Sequence, residues 1–220
     1  MRALGLLCPA LSSLTPASSS CSCTCIYGDH CWPSALVFSS LESQLSHPLL
    51  YLRPIAAACY PVDAPSGNCS ALAQVWGDGN WRSNQPGAME ASNFETYMFK
   101  NGTIDACFLN TTVGIPCNQG SVPIIGVNAT TPEDVQAAVR FAVQNDLKLV
   151  VKNTGYACVT RFLNTPSDVG LRHDFLGRSA ARGSFVIWTH YMKNITYSPT
   201  FLPQSAPQNE SYDGKSSLFI

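Results

Sequence analysis

VPIIGVNATTPEDVQAAVRFAVQNDLKLVV, residues 122–151, decides the fold class. From Val122 to Val127 the chain is a short apolar run, the length and composition of a buried strand. Thr131 then stands at a helix N-cap, Pro132 at the first helical position, and Asp134 three residues after the cap. This is close to a capping box, and the positive end of the helix favours the carboxylate. Val135, Ala138, Val139, Ala142 and Val143 recur at i, i+3, i+4, i+7 and i+8 and predict one apolar stripe. Leu147 to Val151 supplies the next strand. Strand, helix and strand in this order predict two strands that are parallel or nearly so. Further along, SFVIWTHYM from Ser184 to Met192 is rich in β-branched and aromatic residues and predicts another strand. The regular part is therefore α+β or α/β.

Working outward, residues 20 to about 117 are irregular and rich in Pro, Gly, Asn, Ser and Cys. Apolar residues at helical spacing predict one helix there, from Ala35 to Leu45. The chain holds 10 cysteines in 220 residues. So many are rare in a reducing compartment unless they bind metal. Cys21, Cys23 and Cys25 alternate, unlike the two-residue gap of a zinc knuckle, so disulfides fit better than metal. Cys8 would leave with a leader and Cys158 falls in an unusual segment described below. Eight cysteines then remain, enough for four bridges. Asn68, Asn101, Asn110, Asn128, Asn194 and Asn209 each begin an Asn-x-Ser/Thr acceptor sequence, which in a secreted protein marks exposed positions carrying sugar. At the N-terminus Arg2, the apolar stretch from Ala3 to Leu14, and the small residues Ala17 and Ser19 have the order of a signal peptide over residues 1–20. A net charge of −1 with 12% charged residues gives nucleic acid no electrostatic footing. No apolar run approaches the length of a membrane span.

Chemistry at a nucleotide cofactor needs backbone N–H groups around a pyrophosphate, hence glycine-bearing turns after strands. G-x-G-x-x-G, the P-loop, G-x-S-x-G and H-E-x-x-H are all absent, which argues against an ordinary Rossmann domain and weakens hydrolase readings. The second strand is followed by KNTG, Lys152 to Gly155, and later by HDFLGRSAARGSFVIWTH, His173 to His190. From the residues alone this is a glycine-bearing loop with a histidine nearby. An ordinary connecting loop with a surface histidine describes it equally well.

The stretch from Cys117 to Gly155 (CNQGSVPIIGV…KNTG), together with CWPS, CYP, GNC, WRSNQPGAMEASNFE and KNGTIDACFLNTT upstream and HDFLGRS downstream, resembles the fungal secreted FAD-linked oxidoreductases related to berberine bridge enzyme and vanillyl-alcohol oxidase. The resemblance covers nearly everything from about Cys23 to Tyr212. It implies an α+β fold: the N-terminal part of a PCMH-type FAD-binding domain from residue 117 on, preceded by an irregular disulfide-rich segment, 21–116. It also implies FAD as cofactor, joined covalently in the full-length protein through the histidine of the G-H-D loop, here His173. Such a link needs a neutral, oriented imidazole as nucleophile. Asn153, Thr154, Gly155, Gly177, Arg178 and Ser179 would line the loop that holds the pyrophosphate. No metal is implied. His190, placed later on a strand, has no role in the pattern and reads as structural. Catalytic residues, the remainder of the flavin domain and the substrate domain would lie in sequence this chain does not contain. By family resemblance the protein is an enzyme acting on a small-molecule substrate with O₂ as acceptor, and this length of chain is expected to be inactive alone. Neither a nucleic-acid nor a membrane partner is implied.

One departure is sharp. Tyr156 to Arg172 separate Gly155 from His173, where the family pattern runs Gly–His without a gap. Codons for Gly155–Tyr156 permit a splice donor, those for Ser167–Asp168 a branch sequence, and that for Arg172 a terminal AG. Their removal keeps the frame and restores KNTGHDFLGRS, so residues 156–172 read as a translated intron. Gly214–Lys215–Ser216 permits a second donor. The competing functional reading is a secreted, disulfide-rich glycoprotein fragment without cofactor, distinguished by the absence of flavin colour. A secreted binding module is a weaker third reading, with no aromatic ladder or inhibitory loop to support it.

Overall fold

The computed structural model describes residues 24–153 and 177–193, with four short strand segments further on. In chain order the elements are helix α1 (Ala35–Glu42), strand β1 (Leu50–Tyr51), short helices α2 (Cys69–Val75) and α3 (Gly79–Ser83), strands β2 (Tyr97–Met98) and β3 (Ile104–Asp105), strand β4 (Ile125–Asn128), helix α4 (Pro132–Gln144), and strands β5 (Leu149–Lys152) and β6 (Phe185–Trp188). Two antiparallel pairs follow, Ile195–Tyr197 with Ser217–Phe219 and Thr200–Phe201 with Tyr212–Asp213. The folding unit that matters is a four-stranded sheet ordered β1-β4-β6-β5. β4 and β5 both run parallel to β6, and β1 closes the other side antiparallel to β4. The expected parallel pair is therefore present, but β6 lies between its two members.

Helix α4 starts as its residues dictate. The Thr131 side chain accepts the Asp134 N–H, the Asp134 carboxylate accepts the Thr131 N–H, and Pro132 occupies the first turn. Asp134 does more than cap. It also accepts the N–H groups of Thr130 (3.0 Å) and Ser46 (2.8 Å), tying the segment after α1 to the start of α4. This anchor turns Asp134 inward, and Phe141 follows it two turns on. The buried face of α4 is consequently Asp134, Ala137, Ala138, Phe141 and Ala142. The stripe expected from the valines is off by part of a turn: Val135 packs at the edge of the core, while Val139 and Val143 face outward, Val143 at 70% exposure. The larger apolar surface of Phe141 decides the orientation. Its ring meets Phe38 of α1 at 5.2 Å and Phe185 of β6 at 5.8 Å, a cluster that joins both helices to the sheet.

The sheet has two unlike faces because side chains alternate along each strand. Ile125, Val127, Phe185 and Ile187 belong to the core beneath α1 and α4. Val150 and Val186 point the other way, with Leu52 and Val122. Gly126 lies on this second face, where a Cβ would come within 2.6 Å of the Val186 carbonyl oxygen, so only glycine lets β4 and β6 approach so closely here. The strands are shorter than the apolar runs suggest. β6 ends at Trp188 because residues 189–192 close a turn, the Met192 N–H meeting the Thr189 carbonyl. His190 is therefore on that turn and not on a strand. Helix α1 ends at Glu42, short of Leu45, since the Glu42 carboxylate accepts the Leu49 N–H and the chain bends back.

The segment before the sheet is irregular, as expected, and three disulfides pin it: Cys25–Cys31, Cys59–Cys69 and Cys107–Cys117. Cys25 and Cys31 lie near Asp29 in a grouping that could suit a cation, but both sulfurs are spent on each other. The expected leader, residues 1–20, lies outside the described residues, as do Cys21, Cys23 and residues 156–172. No helix among the described residues is long and apolar enough to cross a membrane.

Candidate functional site

Ligands of parallel sheets gather beyond the carboxyl ends of the strands. At that edge the pairing register lays Asn128, Trp188 and Lys152 side by side in one row, on the face opposite α4. Lys152 is wholly buried. Its Nζ donates to the Gln85 carbonyl at 3.0 Å and stands 5.4 Å from the Trp188 ring. His190 stacks on the same ring, nearly parallel, with centroids 5.4 Å apart, and its Nε2 meets Asn84 Oδ1 at 2.8 Å. The Trp188 indole N–H donates to the Asn153 carbonyl at 3.1 Å, which fixes the first residue of the loop leaving β5.

Beneath this row lies a second pair of buried charges. Arg82, from α3, is ion-paired with Glu95 and also donates to the Met89 carbonyl. Glu95 Oε1 accepts the Met89 N–H at 2.9 Å as well. Burial pushes the Glu95 carboxyl up to about 6, against the opposing pull of Arg82, the Met89 N–H and Lys152. Burial, then the charge of Arg82, brings Lys152 down to about 8, while Glu95 resists. His190 is lowered by burial and by the cations Lys193 and Lys152, so at neutral pH its imidazole is uncharged. The result is a buried patch with two cations to one carboxylate. Among the described residues three buried polar atoms lack a hydrogen-bond partner, namely Glu95 Oε2, Asn128 Oδ1 and His190 Nδ1. All three residues belong to this row or the layer under it. Unpartnered buried polar atoms are costly, and their concentration at one edge marks a site.

Of the residues expected to hold a pyrophosphate, Asn153 lies at this edge, exposed, its carbonyl anchored by Trp188. Gly177 has φ +60°, a conformation glycine adopts at no steric cost, and a Cβ there would lie 2.7 Å from the Phe94 ring. Phe94 precedes Glu95, so Gly177 rests on the turn that carries the buried carboxylate. Arg178 is exposed and Ser179 buried. Thr154, Gly155 and His173 lie outside the described residues. The site's buried charges were missed from sequence. Lys152, a lysine closing the apolar run LVVK, is a signal that could have been read. Arg82 and Glu95 carry none, because nothing in their local sequence says they meet under the sheet. A cleft of about 550 Å³ lined by Tyr27, Phe99, Asp105, Gln119, Arg182 and Gly183 lies toward the amino ends of β4 and β6, away from this row.

No protein-family model matches the chain. Among curated proteins it is similar to two FAD-linked oxidoreductases of Arthroderma benhamiae, 35% identical over 185 residues (84% of this chain, 28% of the relative) and 38% identical over 187 (85% and 29%). The FAD-linked oxidoreductase notD of Aspergillus sp. (strain MF297-2) is 33% identical over 212 residues, 94% of this chain and 31% of its own. The crystal structure of a VAO-type flavoprotein from Myceliophthora thermophila C1 superposes with a TM-score of 0.61 at 27% identity, covering 84% of this chain and 30% of that one. The chain thus spans about three-tenths of the length of the relatives it matches. It is a relative of the FAD-linked oxidoreductases and shares, over most of its length, the mixed α/β fold of VAO-type flavoproteins.

Proposed function

We propose that this chain is the flavin-binding portion of an FAD-dependent oxidoreductase that oxidises a small-molecule substrate and returns the electrons to O₂. The observation that carries the reading is the buried cationic row at the carboxyl edge of the sheet, in a chain related to FAD-linked oxidoreductases. Its groups suit an anionic dinucleotide: Lys152 places a positive charge in the row and Asn153 opens a glycine-bearing loop. Bound there, FAD would supply the two-electron redox chemistry, which no side chain of this site can supply. The chain's own residues bind and orient. Trp188 holds the loop entrance, Gly177 seats the returning segment on Phe94, and Lys152 offsets negative charge. Thr154, Gly155, Arg178 and Ser179 would complete the pyrophosphate loop, and His173 would form the covalent flavin link in the uninterrupted protein. The leader, the disulfides and the acceptor asparagines together support a secreted glycoprotein.

Absorbance of the purified full-length protein tests the reading: flavin bands that stay with the protein support it. A colourless full-length protein, unable to take up added FAD, overturns it in favour of a cofactor-free secreted glycoprotein. His173→Ala in that protein should leave the flavin releasable by acid precipitation. If the flavin remains covalently attached, the assignment of His173 is wrong.

A further inference from the structure

Of the six Asn-x-Ser/Thr sequences, those at Asn194 and Asn209 lie outside the described residues, and the other four, equal in the sequence, differ in the fold. Asn68, Asn101 and Asn110 are exposed, the first two in runs of exposed residues. Asn68 adjoins the Cys59–Cys69 bridge, Asn101 lies in the turn between β2 and β3, and Asn110 sits inside the loop closed by Cys107–Cys117. Their amides share one arrangement. Asn68 Oδ1 accepts the Ala71 N–H at 2.9 Å, Asn101 Oδ1 the Thr103 N–H at 3.0 Å, and Asn110 Oδ1 the Thr112 N–H at 3.1 Å. The Thr112 hydroxyl adds a bond to Asn110 Oδ1 at 2.7 Å. Because a backbone N–H can meet only the oxygen of an Asn amide, these bonds orient the group and leave Nδ2 outside them.

Asn128 is the contrary case. It closes β4, half-buried, in register with Trp188, and its Oδ1 is sealed from solvent without a partner among the described residues. Ala129 behind it is fully buried, its N–H bonded to the Trp188 carbonyl. Asn128 shares its sheet face with the buried Trp188 and Lys152, so a sugar on it would stand against that row.

We infer that Asn68, Asn101 and Asn110 are N-glycan acceptors and that Asn128, despite its matching sequence, stays bare in the folded protein. In the modification the amide nitrogen attacks the anomeric carbon of a lipid-linked oligosaccharide diphosphate. A C–N bond forms, the anomeric C–O bond breaks, the lipid diphosphate leaves, and the amide gives up one proton. Nothing is oxidised or reduced. The bonds made by Oδ1 survive, since the sugar attaches at Nδ2. All three sugars then lie on the disulfide-pinned segment, leaving the carboxyl edge of the sheet open to a cofactor.

The inference rests on the proposal that the protein is secreted, so the test separates the two. The full chain is produced in a secreting yeast, once behind its own leader and once behind a heterologous one. The soluble, released pool is treated with peptide N-glycosidase in heavy-oxygen water and mapped by mass spectrometry. Behind the heterologous leader, Asn68, Asn101 and Asn110 should carry the heavy-oxygen mark and Asn128 should not. A mark on Asn128, or its absence from any of the other three, overturns the inference. Failure of release behind the native leader alone overturns the localisation and leaves the acceptor pattern to be read from the other arm.

Discussion

Replacing Asp134 with Asn should loosen the junction between the two helices, and the pH dependence of the loss identifies its cause. Asp134 is 1% exposed. Burial alone would raise its pKa, but the hydrogen bonds from Ser46, Thr130 and Thr131 outweigh burial and bring it from 3.8 down to about 2. At about 1.4 kcal/mol per pH unit, the lowered value corresponds to about 2 kcal/mol of stability at neutral pH. The sign follows from the depression: the contribution is present above the ordinary value of 3.8 and is lost as pH falls through about 2. Asn keeps the shape but replaces one acceptor oxygen with a donor, which must face the Ser46 N–H or the Thr130 and Thr131 pair. The expected loss near pH 6 is thus about 2–3 kcal/mol, or roughly 5–10 °C in Tm for a chain of this size. Near pH 3 the carboxylate part should shrink to about half. Urea unfolding of the complete chain and its variant, measured at both pH values, reads the difference directly. A loss under about 0.5 kcal/mol near pH 6, or one that does not shrink near pH 3, would refute the account of Asp134 as a charged triple acceptor.

Three further outcomes are expected. The stability that Glu95 contributes is complete below 4.5 and lost as pH rises through about 6, whereas that of Lys152 is complete above 10.5 and lost as pH falls through about 8. A plot of urea midpoint against pH should therefore show a trough between about 6 and 8 that flattens in the double variant Glu95→Gln, Lys152→Met; equal profiles would contradict the buried charge pair. Removing the Cys107–Cys117 bridge, which closes a 10-residue separation, should cost about 2–3 kcal/mol by the chain-entropy account, read as a shift in denaturation midpoint between the parent and the double Ser variant. Transcripts spanning Gly155 to His173 should lack the bases for residues 156–172 in the mature message, and a mature transcript that retains them disposes of the intron reading.

What the sequence determined by itself was whatever depends on neighbours along the chain. Thr131, Pro132 and Asp134 form a helix start within four residues, so the capping box was legible. The apolar runs around residues 125 and 150 were legible as strands for the same reason. That the cysteines form disulfides was legible from their number and spacing; which pairs with which was not, and the fold joins Cys25–Cys31, Cys59–Cys69 and Cys107–Cys117. Tertiary structure decided the rest. Val139 and Val143 look as apolar as Ala138 and Ala142, and only the meeting of Phe38, Phe141 and Phe185 sets which of them turns inward. β6 could not be placed between β4 and β5 from order along the chain, because strand order depends on which edges find partners. Arg82, Glu95, Lys152 and His190 span more than a hundred positions, and burial under one sheet edge shifts Glu95, Lys152 and His190 away from their ordinary titration. The Asn-x-Ser/Thr sequences make the point most simply: the sequence marks Asn68, Asn101, Asn110 and Asn128 alike, and solvent access, a property of the folded surface, separates Asn128 from the other three.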